Sequence, residues 1–428
     1  MTDVKPAVAA PATAFSGYQK FVVAILAFLQ FTIVLDFMIL APLGVLVMPA
    51  LDITPTQFGL VVSTYAFSAG VSGVLAAAFA DRFDRKKMLL FFYGGFLVGT
   101  LLCGLAHTYA LLLFARMITG LFAGVVGSVS FAIVTDLFPL QLRGRVMGLI
   151  QTAFSVSTVL GLPLSLFLSN HWGWNAPFFM LVAVCTGVGA VIYSRMRPVD
   201  EHLRHRPDRS PLHHLLTTIS NRRYIQGFVT TGLLSVGGFM LMPFMSIFTV
   251  HNIGLPLEQL PLVYMITGAC SMVAGPLIGR ASDTLGKFRV FAFGCALTIV
   301  IVLIYTHLHT TPLWLLSVIM VLLQIGIFSR MISSSALMSA LPAPPDRGSY
   351  MAISSSLQQV AGGIASVVSG SIVSEAANGE LLHFDILGYV LVVTTCITLT
   401  LMYFIDRKLR DERPGIAISA AAPVAVPE

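Results

Sequence analysis

The stretch GVLAAAFADRFDRKK, residues 73–87, places six charged residues within seven positions of an otherwise apolar chain. Small and apolar residues fill positions 73–80, and a second apolar run, MLLFFYGGFLVGTLLCGLA, begins at residue 88. A helix of about 20 apolar residues is long enough to cross a bilayer. Apolar runs on both sides of a short charged segment therefore predict two membrane-spanning helices joined by a loop at the membrane surface.

The composition of the whole chain agrees with this prediction. Of the 428 residues, 56% are hydrophobic and 10% are charged, whereas soluble domains carry about 25% charged residues. The sequence lacks the alternation that is typical of membrane β-strands, so we expect the spans to be helices. Polar and Gly/Pro-rich joints divide the chain into twelve candidate spans: 20–48, 57–80, 88–107, 110–135, 146–168, 174–194, 224–250, 259–280, 290–307, 312–339, 349–374 and 384–405.

The basic residues indicate how these spans are oriented. When the joints are assigned alternately to the two sides of the membrane, all 25 Lys and Arg residues except Arg116 and Arg330 fall on one side. The positive-inside rule places that side in the cytoplasm. We therefore predict a multi-pass protein of the cell inner (cytoplasmic) membrane with both termini cytoplasmic. This topology accounts for the formal charge of +6, and we expect no binding to nucleic acid.

An internal repeat divides the chain into two halves. GPLIGRASDTLGKFR (275–289) repeats 73–87 with an offset of 202, and APPDRGSYMA (343–352) repeats PLQLRGRVMG (139–148) with an offset of 204. Many secondary transporters consist of two such halves with a binding site between them. The predicted organisation is a cytoplasmic tail (1–19), a six-helix bundle (20–194), a cytoplasmic linker (195–223), a second six-helix bundle (224–405) and a second tail (406–428).

The motifs resemble those of a known family. Residues 73–86 match every fixed position of G-x-L-A-x-x-x-x-D-R-x-x-R-K, the loop motif of the major facilitator superfamily. RMITGLFAG in span four and LDFMILAPL in span one are similar to two further motifs, and STVLGLPLS keeps part of the antiporter motif of span five. Gly120 and Gly124 should permit close helix packing, and Gly161 and Pro163 are the positions of the antiporter motif that the chain retains. The resemblance implies the all-α, twelve-span fold and the drug and metabolite efflux branch, with proton antiport.

The loop motif predicts a gate at the cytoplasmic face. Small residues from Gly73 onward should let span two pack closely, with span eleven as the expected neighbour. Asp81 would face the positive N-terminal end of span eleven, and Arg85 could reach Asp136 at the end of span four. The full set that we assign to the gate is Gly73, Asp81, Arg82, Arg85, Asp136, Asp283 and Lys287. The alternative is that these charges serve only to set the topology.

Two charged residues are expected to pair inside the membrane. Asp36 lies about 24 Å along span one from Lys20, and Arg116 lies about 10 Å into span four from the opposite side, at 1.5 Å per residue. These depths agree in a hydrocarbon core of ~30 Å. One interpretation is a static pair that locks the two spans together. The other is that Asp36 exchanges a proton and breaks the pair when it does, so that Asp36 and Arg116 couple transport to protons.

Arg330 in span ten has no acidic residue at its expected depth. It could extend to the membrane surface, or it could line the substrate cavity and attract an anionic or electron-rich group. In the second interpretation, the hydrogen-bonding neighbours would be Ser333, Ser334 and Gln358.

The sequence shows no Walker, GxSxG or HExxH pattern, so neither an enzyme nor an ATP-driven pump is expected. The histidines and cysteines have no metal-ligand spacing. We predict a monomeric secondary transporter that uses the proton gradient and no bound cofactor or metal, and that exports a small organic compound such as a drug, sugar or metabolite. Two alternatives are proton-coupled uptake of an organic anion and transport of a lipid or lysolipid.

Overall fold

The structure, a computed structural model, describes residues 15–79, 83–200, 203, 217–343 and 346–411. Twelve of the described helices are long and apolar enough to cross a membrane, which confirms the predicted fold class. Their bounds are α1 Gly17–Leu51, α2 Pro55–Phe79, α3 Arg85–Gly104, α4 Tyr109–Leu137, α5 Leu140–Val156 with its continuation Leu162–Trp172, α6 Ala176–Arg195, α7 Arg222–Leu241, α8 Leu260–Leu285, α9 Lys287–Thr306, α10 Leu313–Met338, α11 Arg347–Ile372 and α12 Phe384–Asp411. The short strands β1 Ser374–Glu375 and β2 Leu381–Leu382, which the sequence analysis did not predict, form a hairpin before α12.

Polar side chains mark where several of these helices begin. Ser16 and Gln19 form a reciprocal capping box at α1, with Gln19 N donating to Ser16 Oγ over 3.1 Å. Asp84 caps α3 by accepting from Lys86 N at 2.8 Å, and Thr108 caps α4 by accepting from Leu111 N at 3.3 Å. These acceptors satisfy backbone N–H groups that have no partner within the first turn of a helix.

The fifth span is one helix interrupted by a wide turn. Residues Ser157–Gly161 form a π-helical turn between the two parts of α5. Pro163 is the second residue after this turn. Its nitrogen has no N–H, and its ring would collide with the carbonyl four residues earlier in a regular α-helix. The wider turn accommodates the proline. Gly161 faces α1 in this turn, where an added Cβ would lie 2.7 Å from Leu35 Cδ1.

The bundle has two ends, which we name by their charge. The end that holds the start of α1, the loop between α2 and α3, and the start of α7 is called the basic end; the other is the opposite end. Toward the opposite end, α2 contacts α11, where Thr56 Oγ1 donates to Gly370 O at 2.8 Å. There α5 also contacts the segment before α8, where Asn170 Nδ2 donates to Leu257 O at 3.3 Å. These contacts join the two halves at the opposite end.

Small residues permit the closest helix contacts, but not all with the predicted partner. Gly120 and Gly124 of α4 pack directly on the backbone of α2, so that a side chain at either position would overlap α2. Gly73 was expected to pack on α11. It instead faces α4, where Ser128 Oγ donates to Gly73 O at 3.1 Å. The contact of α2 with α11 is made by Gly59 and Gly70. These two glycines are about three turns apart and nearly aligned along α2, whereas Gly73 is rotated from them by roughly 40–60°, at 3.6 residues per turn.

Candidate functional site: a buried ion pair and a charged cluster at the basic end

Asp36 and Arg116 meet inside the first half. Arg116 Nη1 lies 2.9 Å from Asp36 Oδ2 and 3.2 Å from the Asp36 backbone oxygen, and neither side chain is exposed. Asp36 lies on α1 and Arg116 on α4, as the estimated depths required. The remaining guanidinium atoms Nε and Nη2 have no hydrogen-bond partner among the described residues. The pair is therefore fully enclosed, with hydrogen-bonding capacity left unused.

Other residues around this pair were not found by the sequence analysis. Thr100 of α3 donates its hydroxyl to Asp36 Oδ1 at 3.2 Å. The guanidinium carbon of Arg116 lies 4.4 Å from the centre of the Tyr65 ring on α2, a cation–π contact. Thr100 and Tyr65 are both buried. Threonine and tyrosine are common in apolar spans, so only the folded chain distinguishes these two from the rest.

The arrangement links one carboxyl group to the packing of four helices. A charge inside a membrane is costly unless it is paired or hydrated. Protonation of Asp36 would remove the attraction to Arg116 and leave a buried cation without its counter-charge. A change of protonation therefore changes the relative stability of arrangements in which α1 and α4 are close or apart.

A second charged cluster lies at the basic end of the first half. Arg85 Nε lies 3.0 Å from Asp136 Oδ2, as the sequence analysis expected. Arg85 N also donates to Val199 O at 3.1 Å, and Asp84 Oδ1 accepts from Val199 N at 3.2 Å. Lys86 Nζ donates to Met196 O at 2.6 Å beyond the end of α6. The loop motif thus holds both α4 and the segment that follows α6.

The start of α1 extends this cluster. Tyr18 accepts a hydrogen bond from Arg197 N at 3.0 Å, and the Arg197 guanidinium carbon lies 4.9 Å from the centre of the Tyr18 ring. The Arg145 guanidinium carbon lies 4.8 Å from the centre of the Phe15 ring. The basic end of the first half is therefore joined by aromatic and backbone contacts as well as by the ion pair, which charge patterns alone do not reveal.

Not every predicted gate residue is found in this cluster. Asp81 and Arg82 lie outside the described residues. In the second half, Asp283 is exposed and Lys287 is half-buried, and neither belongs to an ion pair between described residues. The ion pair of Arg85 therefore has no counterpart at Lys287 among the described residues. Instead, the Tyr224 hydroxyl of α7 donates to Asp346 Oδ2 at 2.6 Å near the start of α11.

The structure separates the residues that were grouped as a substrate cavity. Ser333 is buried and donates to Ser282 Oγ at 3.3 Å, and Ser334 donates to Met331 O at 3.0 Å. Their hydroxyls thus serve helix packing. Gln358 is exposed one turn before Gly362, which faces the Phe239 ring of α7 within the second half.

Arg330 does not extend to the membrane surface. Only 4% of the surface of Arg330 is exposed, and its Nη2 atom lies against α7, next to Gly237.

Comparison with known sequences gives a consistent result. A sequence model described as Major Facilitator Superfamily matches residues 26–366. The chain is 27% identical over 272 residues to an uncharacterized MFS-type transporter, YceJ, of Bacillus subtilis (63% of this chain, 68% of that protein). It is 30% identical over 154 residues to Multidrug resistance protein 3 of the same organism, a match to 36% of this chain and 29% of that protein. A probable sugar efflux transporter of Helicobacter acinonychis is 24% identical over 287 residues (66% and 70%).

Solved structures have the same fold. A bacterial homologue of the human lysosomal transporter Spinster, in an inward-facing and occupied conformation, superposes with a TM-score of 0.71 at 14% identity over 94% of this chain and 100% of that one. The nucleoside transporter NupG superposes with a TM-score of 0.72 at 15% identity over 90% of this chain and 99% of that one. The family match covers most of the chain and the fold agrees with it. The chain belongs to the Major Facilitator Superfamily and is a multi-pass membrane protein, a secondary transporter of small solutes rather than an enzyme.

Proposed function

We propose that this transporter exports a small organic compound from the cytoplasm in exchange for protons, acting as a monomer in the inner membrane without a bound cofactor. The observation that carries the proposal is the fully buried pair of Asp36 and Arg116, 2.9 Å apart between α1 and α4. Export is supported by the matched part of Multidrug resistance protein 3 and by the name of the sugar efflux relative.

The coupling follows from a change of charge at Asp36. With Asp36 ionised, Arg116 holds α1 against α4 and the pair is neutral overall. When Asp36 takes a proton from the outside, the pair breaks and the helices repack toward the arrangement that releases the proton inside. A proton can be coupled to solute movement only if its binding favours one arrangement over the other.

The cluster at the basic end is proposed to act as the gate of this cycle. Arg85 and Asp136 join the loop after α2 to α4, and the backbone contacts of Asp84 and Lys86 join the same loop to the end of α6. This cluster would move as one body and close against the second half when the opposite end opens. Rigid movement of one half against the other is how alternating access proceeds in transporters with repeated halves.

The direct test is transport by the purified protein in liposomes with an imposed pH gradient. A panel of dyes, sugars and organic acids is offered on either side, and solute flux is followed together with internal pH. Solute movement opposite to the proton flux supports the proposal. Movement of solute and protons in the same direction would establish uptake by symport instead, and flux of a fluorescent lysolipid alone would establish lipid transport.

The proposed orientation has its own test. Both termini are placed in the cytoplasm, and the turn between β1 and β2 outside it. Reporter fusions after Glu428 and within residues 376–379 should give opposite signals in intact cells. A periplasmic signal from the C-terminal fusion would contradict the orientation and the direction of transport together.

A further inference from the structure

Arg330 is a buried cation that lacks the counter-charge its chemistry requires. It lies in α10 with only 4% of its surface exposed. In the part of the chain that the structure describes, no carboxylate forms an ion pair with it, and its Nε and Nη2 have no nitrogen or oxygen acceptor. Its neighbour on α9 is the neutral thiol of Cys295, which supplies no counter-charge. Donors without acceptors are unfavourable in a membrane interior. Packing alone does not account for an arginine at this position.

The space beside the guanidinium is left by two glycines of α7. A Cβ added at Gly237 would lie 3.5 Å from Arg330 Nη2 and 3.6 Å from Thr394 Oγ1. The next residue, Gly238, is exposed, and a Cβ added there would have no neighbour within 4 Å. We call Gly237 and Gly238 the α7 notch. No side chain at residue 237 covers Arg330 Nη2, and open space begins beside the next residue, Gly238.

The repeat of the two halves places this notch at the level of Asp36. The offset of 202 found in the loop motif relates Asp36 to Gly238 and Phe37 to Phe239. The rings of Phe37 and Phe239 contact each other, with centres 5.6 Å apart. Two residues that occupy equivalent positions in the halves can touch only near the pseudo-twofold axis that relates one half to the other. The first half therefore has a carboxylate where the second half has a notch in front of an arginine.

We propose that Arg330 and the α7 notch bind the carboxylate group of the transported solute, and that the solute is an organic anion with an apolar body. A guanidinium presents donors in a planar fork that matches a carboxylate. The Thr394 hydroxyl beside the notch already donates to Leu391 O at 3.0 Å, so the guanidinium supplies the donors for the carboxylate. The Phe37 and Phe239 rings offer an apolar surface next to the notch. The proposal rests on transport of a small organic solute in the proposed function; it does not depend on proton coupling or direction.

A substitution within the notch distinguishes this site from a structural arginine. Because the Cβ of residue 237 lies at ordinary contact distances, aspartate fits there and its carboxylate would reach the guanidinium. Gly237→Asp should therefore supply the missing anion from within the chain. Gly237→Asn has nearly the same shape without the charge and serves as the matched control.

The experiment measures Tm of the purified full chain at constant chloride and ionic strength. The probes are acetate, octanoate and benzoate, each compared with its own amide. At least one carboxylate should raise Tm by about 2 °C or more at saturation, while its amide should not. Arg330→Gln should abolish the response. Gly237→Asp should raise Tm without any probe and no longer respond, while Gly237→Asn should still respond.

Two outcomes would overturn the proposal. One is that no carboxylate stabilises the wild-type chain beyond its amide. The other is an undiminished response in Gly237→Asp, which remains interpretable even if Arg330→Gln fails to fold. Asp36→Asn should keep the carboxylate response, because Asp36 is not part of this site. If Asp36→Asn keeps full pH-driven export, the proton coupling of the proposed function has failed and this site is unaffected. If the wild-type chain shows no carboxylate response, this site has failed and the coupling is unaffected.

Discussion

Arg85 Nε lies 3.0 Å from Asp136 Oδ2, so the first residue of α3 is tied to the last turn of α4. Arg85 is buried and the Asp136 side chain is one-fifth exposed. An ion pair in this position is less screened than one at a surface. It connects the loop that the sequence singles out to the helix that carries Arg116.

We expect Arg85→Gln to lower the transport rate severalfold and to destabilise the first half by about 1–3 kcal/mol, because the Asp136 carboxylate loses its charged donor. Asp136→Asn should have a similar effect. Transport in liposomes and the amount of inserted protein are measured together. Lys87→Gln is the matched control, since Lys87 lies two residues away and is exposed. Unchanged transport in Arg85→Gln would leave the loop charges with a topological role only.

Asp36→Asn should abolish the dependence of transport on the pH gradient while leaving exchange of solute across the membrane. Asparagine resembles the protonated carboxyl, so Arg116 is permanently without its counter-charge and Asp36 can no longer deliver a proton. The measurement is solute flux with and without an imposed gradient. Thr100→Val is the control, since it removes one hydrogen bond to Asp36 and keeps the titratable group. Full pH-driven transport in Asp36→Asn would show that the pair is static.

Removal of Arg116 should be more damaging than removal of both charges. Arg116→Leu leaves Asp36 enclosed with Thr100 as its one described side-chain partner, and breaking a buried pair on one side costs about 3–5 kcal/mol. In the double variant Asp36→Leu with Arg116→Leu neither charge is left uncompensated. Thermal unfolding of the wild type, the single variants Asp36→Leu and Arg116→Leu, and the double variant gives the coupling between the two residues. Simple additivity would mean that the pair contributes nothing to stability.

Gly124→Val should destabilise the first half by about 1–3 kcal/mol through overpacking. An added Cβ at Gly124 would lie 3.0 Å from the carbonyl carbon of Ala69, so α2 and α4 would have to separate. The same substitution at Gly127 tests the explanation, because no atom lies within 4 Å of a Cβ added there. Equal loss of Tm in the two variants would point to helix propensity rather than helix contact.

Much of the fold could be predicted because a membrane imposes simple rules on a sequence. A spanning helix must bury its backbone in lipid, which explains the apolar runs and the polar joints between them. The basic residues lie on one side because of the positive-inside rule. The twelve helices appear where they were expected. Depth along a helix is also readable, since each residue advances about 1.5 Å. By this count alone, Asp36 and Arg116 are expected at the same depth in the membrane.

The sequence by itself determined the class of protein, the twelve helices and the pair of charges that must compensate each other in lipid. Only the tertiary structure decided which faces of the helices meet. It placed Gly73 on α4 rather than α11, joined Lys86 to the end of α6, and enclosed Arg330 behind two glycines. The reason is physical: depth is a property of one helix and can be counted, whereas contact depends on the rotation and crossing of two helices, which local sequence does not specify.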